Sequence, residues 1–177
     1  LRQFNEDSAL KRWFQAPGAL WCEAEKWVKQ GKNRPTIAQA SLARSAIIAQ
    51  VAQRVTPMRR ANLARLRAFG EDTHFSLPIG AGEGTLILPG AELKNLRSIH
   101  VTIDPDTVRM LKRFIDVYRP LFVELAGADP ENPHLFPGAS SERKERGKNG
   151  GYAKGFGYIT KTKLSQRFRQ HLWKHCQ

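Results

Sequence analysis

A chain of 177 residues with 41% hydrophobic side chains can fill one core, and its net charge of +13 favours a polyanionic partner. The two cysteines, Cys22 and Cys176, form no CxxC pair and suggest neither a zinc site nor a disulfide framework. No apolar run approaches a membrane span and the polar start is no signal peptide, so a soluble, cytoplasmic protein without membrane or small-molecule ligands is expected.

The chain opens with packing helices. Asp7 or Ser8 can cap a helix carrying Leu10, Trp13 and Phe14, which Pro17-Gly18 should end. A second helix from about Ala19 places Leu20, Ala24, Trp27 and Val28 on one face and stops at Gln30-Gly31. Residues 29–35 read as a basic loop. A third helix, over residues 42–55, repeats Ile47, Val51 and Val55 every four positions.

Pro57 should stop that helix, because the residue before a proline is pushed out of the α region. Thr56 then reads as an N-cap and Pro57 as the first residue of a new helix. Arg59 and Arg60 fall in its first turn, where each cation costs roughly 0.3–1 kcal/mol unless an anion offsets it. Arg59, Leu63 and Leu66 lie at i, i+4 and i+7, which assigns Arg59 to the core-facing stripe and turns Arg60 away. An inward arginine at a helix start is a candidate phosphate clamp.

Beyond Gly70 the period becomes alternating. Residues 74–77, 85–88 and 98–103 read as three short strands, the last with Ile99, Val101 and Ile103 on one side. The glycines between the first two, at 80, 82 and 84, precede a strand and not a helix, so they mark a hairpin turn and not a dinucleotide loop. Lys94 and Arg97 sit in the connection between strands two and three, where a lysine is ordinarily a solvated charge.

Asp104 caps the next helix, with Pro105 at its first position and an apolar stripe of Val108, Leu111, Ile115 and Tyr118; Pro120 should mark its end. His134, in the run 133–137, reads as an ordinary loop residue. From Ser140 onward ten Lys/Arg face two Glu. The glycine-rich part of that stretch, 138–158, cannot bury much apolar surface and reads as a loop. Residues 160–177 return to helix, with Lys161, Lys163 and Arg167 crowding its start. His171 and His175 have the spacing of a helical metal pair, but no third ligand accompanies them and no metal is expected.

Thr56-Pro57-Met58-Arg59, followed by Leu63 and Leu66, resembles the first catalytic box of the tyrosine recombinases, the phage-type integrases. Lys94-Asn95-Leu96-Arg97 ahead of a strand resembles their catalytic β-hairpin, and residues 133–137 resemble the Leu-Phe-Pro segment that follows. Two positions depart from the pattern: Pro57 replaces a glycine, and Asn62 stands where an acid usually buttresses the arginine. The resemblance implies a mainly α fold with a small three-stranded antiparallel sheet, a truncated recombinase catalytic domain. Helices at 1–70 lead into the arginine box, 71–103 form the sheet and 104–120 a helix. It also implies metal-free, cofactor-free strand cleavage and rejoining through a 3′-phosphotyrosyl link. Arg59 would stabilise the non-bridging oxygens and Lys94 would protonate the leaving 5′-oxygen. Arg60, Arg97, Lys161, Lys163 and Arg167 would hold double-stranded DNA, on which copies of a bacterial integrase self-associate.

The family's His-x-x-Arg box and tyrosine nucleophile are expected after Gln177, because Tyr118, Tyr152 and Tyr158 match no nucleophile position and His171-Leu-Trp-Lys174 lacks the arginine. A non-catalytic DNA-binding relative, a basic RNA-binding protein and a metal-dependent nuclease are the alternatives. The last has no visible carboxylate/His cluster.

Overall fold

The computed structural model describes residues 7–126, 128–138, 145–146, 152–153, 159, 166 and 168–171. Its architecture is mainly helical with a small antiparallel sheet of three strands that neighbour one another in chain order. Among the described residues no helix is long and apolar enough to cross a membrane.

The first helix, α1 (Asp7–Ala24), does not stop at Pro17-Gly18 but runs through it. A proline inside a helix deprives the carbonyl four residues earlier of its N–H partner, here that of Trp13. Gln53 Nε2 donates to Trp13 O at 3.1 Å and makes good that loss from another helix. Burial of Ala16 and Leu20 against Ala46 holds the continuous helix in place. A short α2 (Lys26–Lys29) follows.

At the centre lies α3 (Ile37–Gln50), which starts five residues before the expected point because Thr36 and Gln39 form a capping box. Its alanines and isoleucines at 40, 43, 46, 47, 48 and 49 are all buried, together with Ser41, Ser45 and Arg44. Arg44 lays its guanidinium 4.3 Å from the centre of the Phe122 ring. The helix ends in a π-turn, Val51–Val55, closed by Thr56 N–H donating to Val51 O, and a short α4 (Arg60–Ala64) follows.

The strands fall where the alternation places them. They are β1 (Phe75–Ser76), β2 (Gly84–Leu88) and β3 (Ile99–Ile103). Leu86 pairs with Val101 and Leu88 with Ile99 on the core side. Gly84 is required by closeness: a Cβ there would lie 3.0 Å from Ser76 O and 3.1 Å from both Leu77 Cδ2 and Val108 Cγ2.

Asp104 caps α5 (Pro105–Arg113), accepting from Thr107 N–H at 2.9 Å and from its hydroxyl at 2.6 Å. Gln50 Nε2 donates to the same Thr107 hydroxyl at 2.7 Å, tying α3 to this cap. Pro120 does not end the helix. A π-turn (Phe114–Tyr118) leads directly into α6 (Arg119–Ala126), so Pro120 lies inside one continuous helical stretch. Phe114 is the aromatic hub, with ring centroids 5.8 Å from Phe136, 6.3 Å from Phe122 and 6.4 Å from Tyr118.

Within 138–158, which reads as loop in the sequence, Glu145–Arg146 (β4) and Tyr152–Ala153 (β5) form an antiparallel pair; residues 139–144, 147–151 and 154–158 lie outside the described residues. Of the last helix, residues 166 and 168–171 are helical, and Phe168 packs on the core.

Substituting Pro17 by Ala restores the missing N–H, so Gln53→Ala should cost less in that background than in the parent. A coupling of about 1 kcal/mol between the two positions is expected from thermal unfolding of the four variants. Strict additivity would show that Gln53 does not compensate for the proline.

Candidate nucleic-acid interface

The segment after α3 differs from its sequence reading in register. Thr56 is extended (φ −160°, ψ 134°) and terminates the π-turn; it does not begin a helix. Helix α4 spans only Arg60–Ala64, and Arg59 occupies its N-cap position with extended backbone. Arg59 is therefore exposed and off the apolar stripe, whereas Leu63 and Leu66 are buried as expected. The cause is local: Pro57 forbids helix at Thr56, and the new helix starts only where Leu63 and Ala64 can reach the core. Five residues sum to a small dipole, so the phosphate-clamp argument from a helix N-terminus falls away. Arg60 is exposed too.

The loop between β2 and β3 begins with a 3-10 turn, Gly90–Glu92. Lys94, Asn95, Leu96 and Arg97 are all exposed along it, while Leu93 is buried and anchors its base. Gly90 permits a close crossing: a Cβ there would sit 2.5 Å from Leu96 O. Leu96 has φ 55°, the left-handed region, which costs a leucine of order 1 kcal/mol.

One carboxylate joins these two stretches. Glu92 Oε1 accepts from Arg67 Nη2 at 2.6 Å, and Arg67 Nε donates to Asp72 O at 2.7 Å. Buried His74 accepts the Arg67 N–H on Nδ1 at 3.0 Å, which places its remaining proton on Nε2, 3.3 Å from Glu92 Oε2. The chain that starts at Arg59 and Arg60 is thus fastened to the loop that carries Lys94 and Arg97. None of the three linking residues stood out in the sequence. An acid two residues before Lys94 was their only available signal.

Burial raises the Glu92 pKa, but the hydrogen bonds from Arg67 and His74 outweigh it and the net shift is downward. Burial and the neighbouring Arg67 charge push His74 below its ordinary 6.5, against the pull of Glu92.

Residues 132–136 close the other side of Arg67. Leu135 N–H donates to Leu66 O at 2.7 Å and Ala68 N–H to Pro133 O at 2.7 Å. Arg119, buried and 4.6 Å above the Phe69 ring, donates through Nε to His134 O at 2.9 Å and through Nη2 to Asn132 O. His134 is more than a loop residue: its backbone bridges Arg67 and its ring faces Arg65 O at 3.3 Å.

Lys161, Lys163 and Arg167 lie outside the described residues, as does His175. His171 Nδ1 lies 2.7 Å from Ser45 Oγ, a partly buried contact with α3. Tyr118 is fully buried, accepting from Trp27 Nε1 at 3.0 Å and donating to Glu25 at 2.7 Å. Burial drives its pKa far up.

No protein-family model matches this chain, and no curated protein or solved structure shows significant similarity to it.

The tie makes stability depend on pH in one direction. His74, whose folded pKa lies below 6.5, opposes folding once the unfolded chain takes up a proton, so stability declines as pH falls past that value. Glu92 stabilises above its ordinary 4.5 and loses that contribution as pH drops through its lower folded value. Tm should fall from about pH 7.5 to about pH 5, by about 2–4 °C per kcal/mol lost. His74→Asn keeps an acceptor for Arg67 N–H without titrating, and it should flatten the upper part of that decline. An unchanged profile in calorimetry would remove His74 from the account.

Proposed function

We propose that this chain binds duplex DNA and forms part of a tyrosine recombinase-like catalytic domain. The observation that carries this reading is the Arg67–Glu92–His74 tie. It joins the segment beginning Arg59-Arg60 to the exposed loop bearing Lys94 and Arg97. Two cationic stretches far apart in sequence are thereby held on one frame, in a chain of net charge +13. The order of elements agrees: helices, an arginine-bearing turn, a three-stranded antiparallel sheet with a lysine before its last strand, then a capped helix and a buried Leu135-Phe136 pair.

In this reading Arg59 grips the non-bridging oxygens of the scissile phosphate through its planar fork, and Lys94 gives a proton to the departing 5′-oxygen. Arg60 and Arg97 position the DNA backbone and carry little sequence information. None of Tyr118, Tyr152 and Tyr158 is assigned as the attacking tyrosine in this reading. Exposure of Arg59 means that the phosphate itself, and not a protein stripe, would orient its guanidinium. That exposure, with Asn62 in place of an acid, favours a second reading as a non-catalytic DNA-binding relative.

Residues 1–177 should bind duplex DNA without sequence preference and form no covalent adduct. The binding constant should fall by about 0.9 log units per log unit of salt for each phosphate neutralised. A salt-independent affinity in fluorescence anisotropy would overturn the DNA reading.

The catalytic part is separable. In the protein that includes the nucleophile, Lys94→Ala should slow cleavage by roughly 10²–10⁴ on ordinary DNA. It should recover most of its rate when the leaving oxygen is replaced by sulfur, whose lower pKa makes a proton unnecessary. Arg59→Ala should not recover on that substrate. Full activity in both variants would remove Arg59 and Lys94 from the catalytic machinery, and absence of cleavage by the parent would leave only the non-catalytic reading.

A further inference from the structure

The tip of the loop between β2 and β3 holds an apolar side chain where water and charge surround it. Leu96 is 76% exposed, among the most exposed of the large hydrophobic residues described. Lys94, Asn95 and Arg97 around it are exposed as well. Among the described residues Leu96 is also the one non-glycine with positive φ, at 55°. Asparagine or glycine is the ordinary occupant of that backbone region, and a leucine there is uncommon.

The conformation is fixed from below. Leu96 N–H donates to Leu93 O at 3.0 Å, and Leu93 is buried. Gly90 N–H donates to Ser98 Oγ at 3.1 Å, and the absence of a Cβ at Gly90 lets the Leu96 carbonyl cross directly above it. The loop therefore presents Leu96 outward on a braced turn. An apolar group displayed this way gains by burial only when a partner covers it. The flanking Lys94 and Arg97 select that partner: a surface with anionic ridges and apolar ground between them, which is the groove of duplex DNA with its sugar and base edges.

We infer that Leu96 is an apolar DNA contact, inserted into a groove between the two phosphate rows that Lys94 and Arg97 engage. The inference rests on the DNA-binding reading above and adds a component of affinity that salt does not screen. Cations contribute through counterion release and set the slope of affinity against salt, whereas a buried leucine shifts affinity equally at every salt concentration.

The experiment is a salt titration of residues 1–177 against a fluorescently labelled duplex of mixed sequence, with four variants. Leu96→Asn suits the left-handed backbone, so its Tm should equal or exceed that of the parent. Its Kd should rise about tenfold at every salt concentration, equivalent to about 1.4 kcal/mol, with the slope unchanged. Leu96→Met keeps the apolar volume and should bind within about twofold of the parent. Lys94→Ala and Arg97→Ala should each reduce the slope by about 0.9. Parental affinity in Leu96→Asn would overturn the inference, and so would an equal loss in Leu96→Met. A Leu96-dependent self-association without DNA, seen by sedimentation, would assign the side chain to a second copy and overturn it too. Absence of salt-dependent binding by the parent chain would instead defeat the underlying DNA reading, so the two failures are distinguishable.

Discussion

The fold depends on a central helix that has almost no face left for water. Along α3, residues 40, 41 and 43–49 are all buried, which obliges every neighbour to meet it through small side chains or satisfied polar groups. Alanine suits this position because it brings a neighbouring backbone close while losing no side-chain entropy. Two polar residues on α3 answer a demand from another element. Gln50 holds the hydroxyl that Asp104 already uses as part of a cap, and Ser45 meets His171. In the π-turn that follows, Gln53 reaches the Trp13 carbonyl.

That packing leaves Arg59, Arg60, Lys94 and Arg97 to the periphery, in stretches whose shape is set by buried anchors. Leu93 below Lys94, and Leu63 and Leu66 beyond Arg59, are the apolar residues that fix each stretch. A carboxylate between them then determines how the two stretches stand to each other. Arg67, used as a strut, differs from Arg59 and Arg60 in chemical role despite lying only a few residues away. Its guanidinium is occupied by Glu92 and a backbone carbonyl.

Much of the architecture was legible because its signals were local and periodic. The alternation Ile99, Val101, Ile103 gave β3 and its inward face, and Asp104-Pro105 gave the start of α5 to the residue. Prolines misled in proportion to how much tertiary structure compensated them. Pro17 is tolerated through a glutamine 36 positions later, which no local window can contain. A helix begun at Thr56 puts Arg59 on a core stripe, whereas Thr56 is extended after the π-turn and the next helix begins only at Arg60. The Glu92 tie was invisible because its three members come from different elements and carry no spacing. In the sequence Leu96 is only one residue of a lysine-bearing loop. Its exposure and its backbone angle are properties of the folded turn.

Both π-turns deserve a reading as insertions. An α-helix gains such a turn when one extra residue enters without interrupting the hydrogen-bond ladder. One residue corresponds to about 100° of rotation, so everything downstream is turned relative to everything upstream. Between α5 and α6 this lets one continuous rod address two walls: Val108 packs against Gly84 of the sheet, while Arg119 and Phe122 face the 132–136 segment and Arg44. Loss of one residue from Phe114–Tyr118 would leave a sound helix with its far half aimed elsewhere. Phase, more than length or hydrophobicity, is what that stretch encodes.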